Sequence, residues 1–212
     1  DEIWQFVAKK ARQVTVADDP SKVGDFWTYV ALDADTKLVP TFVVGKRDRA
    51  TTEAFCNDLA SRLVNRPQLS TDAFGAYANA VDKAFGVDVD YGQVVKFYDA
   101  PHGTGRYSPP VCTGAKRTPV AGRPVHEHIS TSHVERQNLT MRMSMRRYTR
   151  LTNGFSKTVD GMRAAVSLHF AHYNFVRQHQ SLRVTPAMEA GVSNRMWKLE
   201  ELVERTAWTG SE

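Results

Sequence analysis

The order in which strand-like and helix-like stretches follow one another constrains this chain most: three strands come first, and only then do strands alternate with helices. DEIWQFV (1–7) alternates, with Trp4 and Phe6 on one side and Ile3 and Val7 on the other. Both sides are apolar, as in a central strand covered on two faces. DFWTYVALDADTKLVPTFVVG (25–45) reads as a hairpin, with strands at 26–32 and 38–44 joined by the turn-forming DADT. TTEAFCNDLASRLV (51–64) is helical, with Ala54, Phe55, Leu59, Leu63 and Val64 near one stripe and Thr51 or Thr52 as a cap. A short strand around Leu69 follows, then a helix over 75–84 and a strand over 91–98. Helices are expected over 131–150, 158–178 and 194–207.

That order predicts an α/β protein. Its mixed five-stranded sheet has the order 3-2-1-4-5, antiparallel at one edge, parallel at the other and flanked by helices. This is the ribonuclease H-like architecture, here with extra C-terminal helices. In such a sheet the carboxyl end of the fourth strand lies beside the first strand, so Asp72 is expected to approach Asp1. One domain is expected over 1–191, followed by a C-terminal helical extension over 192–212. Residues 99–128 hold five of the nine prolines and four glycines, which predicts a loop insertion.

Apolar residues make up 42% of the 212, enough for a real core. The net charge of +5 is unevenly spread. Residues 136–183 hold nine Lys or Arg and one acid, a segment of +8 that leaves −3 for the remainder. A basic zone on a mildly acidic body predicts a binding face for a polyanion. Cys56 and Cys112 form neither a disulfide framework nor a CxxC pair. Cys112, His126, His128 and His133 match no zinc-finger spacing. There is no signal peptide and no apolar run near the length of about 18 residues that a membrane helix needs, so a cytoplasmic protein is expected. The chain opens without methionine and directly on a candidate ligand, so a preceding segment is expected.

Three carboxylates stand in suggestive settings: Asp1 at the head of a strand, Asp72 where a strand gives way to a helix, and Glu135 early in a helix. Three converging carboxylates can hold two divalent ions, which activate a nucleophile and stabilise the leaving oxygen of a phosphodiester. On a continuous helix, Asn138, Arg142, Arg146 and Arg150 fall within about 60° of Glu135, while Val134, Met141, Met145 and Tyr148 form the buried side. Arginine suits phosphate because its planar fork bonds two oxygens. Each feature also has a plainer explanation. Asp72 would serve as a helix N-cap, the arginine row as a solvated face, and Glu2 is as acidic as Asp1 but points to the opposite strand face.

The stretches DEIWQFV (1–7), WTYVALDADTK (27–37), TTEAFCNDLASRL (51–63), STDAFGAY (70–77), SHVERQNLTMRMSMRRYTRLTNGFSK (132–157) and YNFVRQHQSLRVTPAMEAG (173–191) span nearly the whole chain. Together they resemble the DDE catalytic domain of bacterial insertion-sequence transposases, close to the insertion-sequence-one family and more distantly the retroviral integrase cores. ERQN followed by TRLTNGFSK is the most specific block. The resemblance implies that Asp1, Asp72 and Glu135 are the catalytic, metal-binding triad, with Asp1 preferred over Glu2. It implies Mg²⁺ or Mn²⁺, two ions, and double-stranded DNA as substrate: the transposon ends and a target. It further implies a homodimer or larger synaptic assembly, a bacterial or archaeal nucleoid setting, and an upstream DNA-recognition region outside this sequence. Arg136, Asn138, Arg142, Arg146, Arg150, Lys157 and Arg177 are the expected DNA contacts. Arg177, His179, Leu182, Thr185 and Pro186 match the family's YN-x-x-R-x-H-x-x-L-x-x-TP pattern, which also reads as a helix end and its turn. Two other functions fit the same residues: a ribonuclease H-like nuclease that cuts without joining, and an inactive DNA-binding transposon remnant.

Overall fold

The structure is a computed structural model that describes residues 1–99, 111–149 and 152–206. In chain order the strands and α-helices are β1 (Glu2–Val7), β2 (Gly24–Val30), β3 (Phe42–Gly45), α1 (Arg49–Arg62), β4 (Gln68–Asp72), α2 (Ala76–Phe85), β5 (Asp90–Tyr98), β6 (Cys112–Ala121), α3 (Ser132–Ser144), α4 (Val159–Ala171), α5 (Pro186–Glu189) and α6 (Leu199–Thr206). The chain divides into two compact units. Asp1 joins Arg47–Arg136 in one, and Glu2–Lys46 joins Gln137–Glu212 in the other. Among the described residues no helix is long and apolar enough to cross a membrane.

The unit built from Glu2–Lys46 and Gln137–Glu212 contains an antiparallel meander in the order β1-β2-β3. Trp4 faces Trp27 and Thr28 faces Val44. The alternation of β1 buries Ile3, Gln5 and Val7, while Trp4 and Phe6 are half-covered. Phe6 stacks on Phe155 with ring centroids 4.7 Å apart. Thr158 caps α4 by accepting from the Gly161 amide. Met162, Val166 and Phe170 recur every four residues and form its buried stripe. Phe170 meets Phe42 at 5.0 Å between centroids. Past Ala171 the helix loosens into a π turn (His172–Val176) that buries Asn174. The Asn174 amide donates to the Val39 carbonyl (2.9 Å) and accepts from the Val39 amide (3.1 Å), pinning the approach to β3. Thr185 caps α5 ahead of Pro186. Leu202 of α6 is buried, and Trp197 just before it stacks on Phe175 at 4.4 Å.

The unit built from Asp1 and Arg47–Arg136 contains β4-β5-β6, with β4 parallel and β6 antiparallel to β5. The parallel pair requires a crossover, and α2 supplies it. Asp48 caps α1 by accepting from the Thr51 amide at 2.8 Å, so the cap lies just ahead of the expected Thr51 or Thr52. Thr52, Phe55, Cys56 and Leu59 form the buried stripe of α1; Tyr77, Ala80 and Val81 form that of α2. Gly92 of β5 has no room for a side chain. A Cβ there would stand 2.6 Å from Ile129, which is fully buried.

Several expectations are corrected. A single five-stranded sheet in the order 3-2-1-4-5 is not shown: among the described residues there are two sheets of three strands, and β4 forms its ladder with β5. The segment expected as the loop insertion 99–128 contains β6, a ten-residue strand recruited by pairing with β5; residues 100–110 lie outside those described. The helix expected over 131–150 stops at Ser144, and Met145 is extended. The reason is Tyr148, which is buried and shares a 2.5 Å hydrogen bond with the Thr28 hydroxyl. The chain must turn to deliver it, and the turn is closed by Arg142 donating to the Tyr148 carbonyl (3.2 Å) and by the Thr149 hydroxyl donating to the Arg142 carbonyl (3.3 Å). The row Glu135–Arg142–Arg146–Arg150 is therefore not one helix face. Arg146 lies in a separate 3-10 turn and Arg150 outside the described residues. The last expected helix starts at Leu199, not at 194.

Candidate metal centre

Asp72 ends β4 and pairs across the sheet with Val94. Its Oδ1 accepts from the Phe74 amide at 3.1 Å, a local turn that fixes the carboxylate as the chain leaves the strand. It is not the cap of α2; Gly75 holds that position. Oδ2 lies 3.5 Å from the Arg47 guanidinium, which stacks over the Phe74 ring at 4.1 Å. The cation is thus held by both a carboxylate and a π face. Beneath this strand end, the Thr71 and Tyr91 hydroxyls share a 2.7 Å hydrogen bond, and the Gln93 amide donates to Tyr91 at 2.9 Å. Burial pushes the Tyr91 phenol up, so it stays neutral under the site.

Asp1 offers a carboxylate oxygen within 4.8 Å of one from Asp72. Metal–oxygen bonds of about 2.0–2.6 Å let one hard cation bridge two oxygens at such a separation. The donor set therefore fits Mg²⁺ or Mn²⁺: two half-buried carboxylates and nothing soft. Glu2, the next residue along, opens β1 in the other unit.

Glu135 does not form a three-ligand group with Asp1 and Asp72. It sits in the first turn of α3. There its Oε1 accepts from the ammonium of Lys96 on β5 and from the Thr131 hydroxyl. The structure thus brings together two of the three expected ligands and engages the third with a lysine.

The expected DNA-binding residues are dispersed. Arg136 is exposed on α3, and Asn138 and Arg142 of the same helix are half-buried. Arg146 is exposed, and the Lys157 ammonium lies 3.3 Å from the Phe155 ring centroid. Arg177 follows the π turn and, with His169 and His172, lines a cleft of about 580 Å³. The YN-x-x-R-x-H pattern has structural duties here. The Tyr173 hydroxyl donates to the Lys37 carbonyl at 3.0 Å, Asn174 holds Val39, and the His179 amide donates to Val184 at 2.9 Å.

Sequence reasoning missed Arg47 and Lys96. Each neutralises a distant carboxylate, and no local spacing announces a partner 25 or 39 residues away. Comparison of the chain with protein-family models, with curated proteins and with solved structures found no match in any of the three.

Proposed function

We propose that this chain is the catalytic part of a DDE transposase that cuts DNA at element ends and joins the freed 3′ ends to a target. The observation that carries the reading is the approach of the Asp1 and Asp72 carboxylates at the end of a parallel strand. The motif resemblance over nearly the whole chain supports it. The reading includes a ribonuclease H-like frame. It also includes two Mg²⁺ or Mn²⁺ ions held by Asp1, Asp72 and Glu135.

Bound there, the metals would supply water activation and charge neutralisation at the leaving oxygen. The remaining work belongs to the chain. Asp72 is held ready by the Phe74 amide, and Arg47 balances its charge until a cation arrives. Glu135 must exchange Lys96 for a metal. No protein nucleophile is needed, and buried Cys56, its thiol pushed up to about 11 by burial, is unsuited to the role. Two DNA ends require at least a dimer, acting in the cytoplasm on chromosomal DNA.

The test incubates the protein with labelled duplexes carrying candidate element ends, a target plasmid and Mg²⁺, beside Glu135→Gln and Asp72→Asn. Expected are nicked ends and joined products, both reduced to the metal-free background in either variant. Full activity in either variant would overturn the metal assignment. Nicking without joining would make the protein a nuclease, and DNA binding without carboxylate-dependent chemistry would make it a remnant.

A further inference from the structure

The unit that holds Asp72 and Glu135 also contains an open cleft of about 720 Å³, bounded by β5, β6 and the start of α3. Its floor follows from strand geometry. Val94 pairs with Arg117 and Lys96 with Ala115, and side chains alternate along a strand. Lys96 and Arg117 therefore stand on one face of the β5–β6 pair, the face that meets Ile129 and Glu135. Lys116, one residue out of phase, also lines the cleft. The opposite wall carries the hydroxyls of Ser130, Thr131 and Ser132, with Ser130 and Ser132 2.9 Å apart.

Three permanent cations thus face one carboxylate, and the balance is further skewed by pairing. Lys96 is engaged by Glu135, but Lys116 and Arg117 carry no ion pair among the described residues. Both exposed cations line the cleft although they alternate along β6, and an anion bound there would offset their charge. A guanidinium fork with hydroxyl donors matches the tetrahedral oxygens of a phosphodiester. The cleft is larger than one anion needs, so a stretch of nucleic-acid backbone fits better than free phosphate.

We propose that this cleft is a phosphate subsite for DNA, formed by Arg117, Lys116 and Lys96. The inference rests on the proposed function for its choice of polymer. It assigns the backbone contact to β6, not to the arginines of α3. It also has a chemical consequence: a phosphate that draws Lys96 toward Arg117 takes it from Glu135, freeing that carboxylate as substrate arrives.

The experiment measures binding of a fluorescein-labelled DNA duplex by anisotropy across a salt series in EDTA, so that no metal chemistry contributes. Lys116→Ala/Arg117→Ala should weaken binding about tenfold or more and lower the salt slope by nearly two, at roughly 0.9 for each phosphate no longer neutralised. Arg117→Lys keeps the charge and loses the fork, so its affinity should fall between the double variant and the wild type. Glu135→Gln should bind as well as the wild type or more tightly, because Lys96 is released. Unchanged affinity and slope in the double variant, or no binding by the wild type, overturns the subsite. The two readings fail separately. Carboxylate-dependent cleavage with an unchanged slope would leave the function standing and remove the subsite. A slope lowered as expected with no cleavage under any condition would do the reverse.

Discussion

In the unit formed by Glu2–Lys46 and Gln137–Glu212, several buried polar side chains are matched to one another, although Gln5 Oε1, Gln137 Nε2 and His169 Nε2 are buried without a hydrogen-bond partner. Thr28 meets Tyr148, the Gln5 amide donates to Ser156 at 3.3 Å, and Asn174 closes both hydrogen bonds with Val39. Burial drives the Tyr148 and Tyr173 phenols up, the latter to about 12, so both remain neutral donors and acceptors. In the unit formed by Asp1 and Arg47–Arg136, ionised groups stay half-exposed. Asp72 faces Arg47 and Glu135 faces Lys96, while Lys116 and Arg117 stand in an open cleft. Buried, matched polar groups fix one conformation, because breaking them leaves a desolvated atom without compensation. Half-exposed ion pairs contribute little stability and exchange partners easily. The first unit is built as scaffold, and the second keeps its charges available to a ligand.

The largest effect that would break this contrast is on stability. Met162 is fully buried on α4, and Met162→Ala should cost about 2–5 kcal/mol in urea unfolding. Arg117→Ala, on the exposed strand, should cost no more than about 0.5 kcal/mol. Equal costs would remove the distinction between the units.

A smaller effect concerns acid. His169 is held down from 6.5 to about 4, first by burial and then by His172 and Arg177, and its Nε2 is buried with no hydrogen-bond partner. As pH falls from 6.5 toward 4, the unfolded chain takes up a proton that the folded chain refuses. Stability should therefore drop through that window, by up to about 3 kcal/mol. His169→Gln should flatten this acid limb in unfolding curves measured at successive pH values. An unchanged limb would show that another group is responsible.

The smallest effect sharpens the same contrast in thiols. A thiol reagent at neutral pH should label Cys112, which is exposed, and reach Cys56 only after unfolding. Peptide mass spectrometry of native and denatured protein reads this directly, and rapid native labelling of Cys56 would show that α1 is not packed as described.

Much of the scaffold was legible because it repeats. The alternation of β1 and the small-residue helix after Asp72 carry their period in the chain, whereas of the stripe expected for α1 only Phe55 and Leu59 are buried: Ala54 and Val64 are exposed, and the helix ends before Leu63. β6 was not legible. Gly114 and Pro119 interrupt any pattern, most of its residues are exposed, and it is a strand only because β5 offers it a ladder. The end of α3 was equally hidden. No glycine or proline lies between Ser132 and Thr149, and the break is imposed by the distant Thr28 through Tyr148. At the candidate site, strand-end reasoning brought Asp72 toward Asp1, but the capture of Glu135 by Lys96 depends on packing between elements that sequence spacing does not encode.

β6 has a consequence of another kind. It lies at the edge of its sheet, and a ten-residue edge is a template on which a further strand from another molecule can build. Pro119 removes one amide from that template, and the paired charges of Lys116 and Arg117 repel a like edge. The residues that would greet DNA thus also guard the protein against self-assembly into aggregates. Neutralising them should make it less soluble as well as less able to bind.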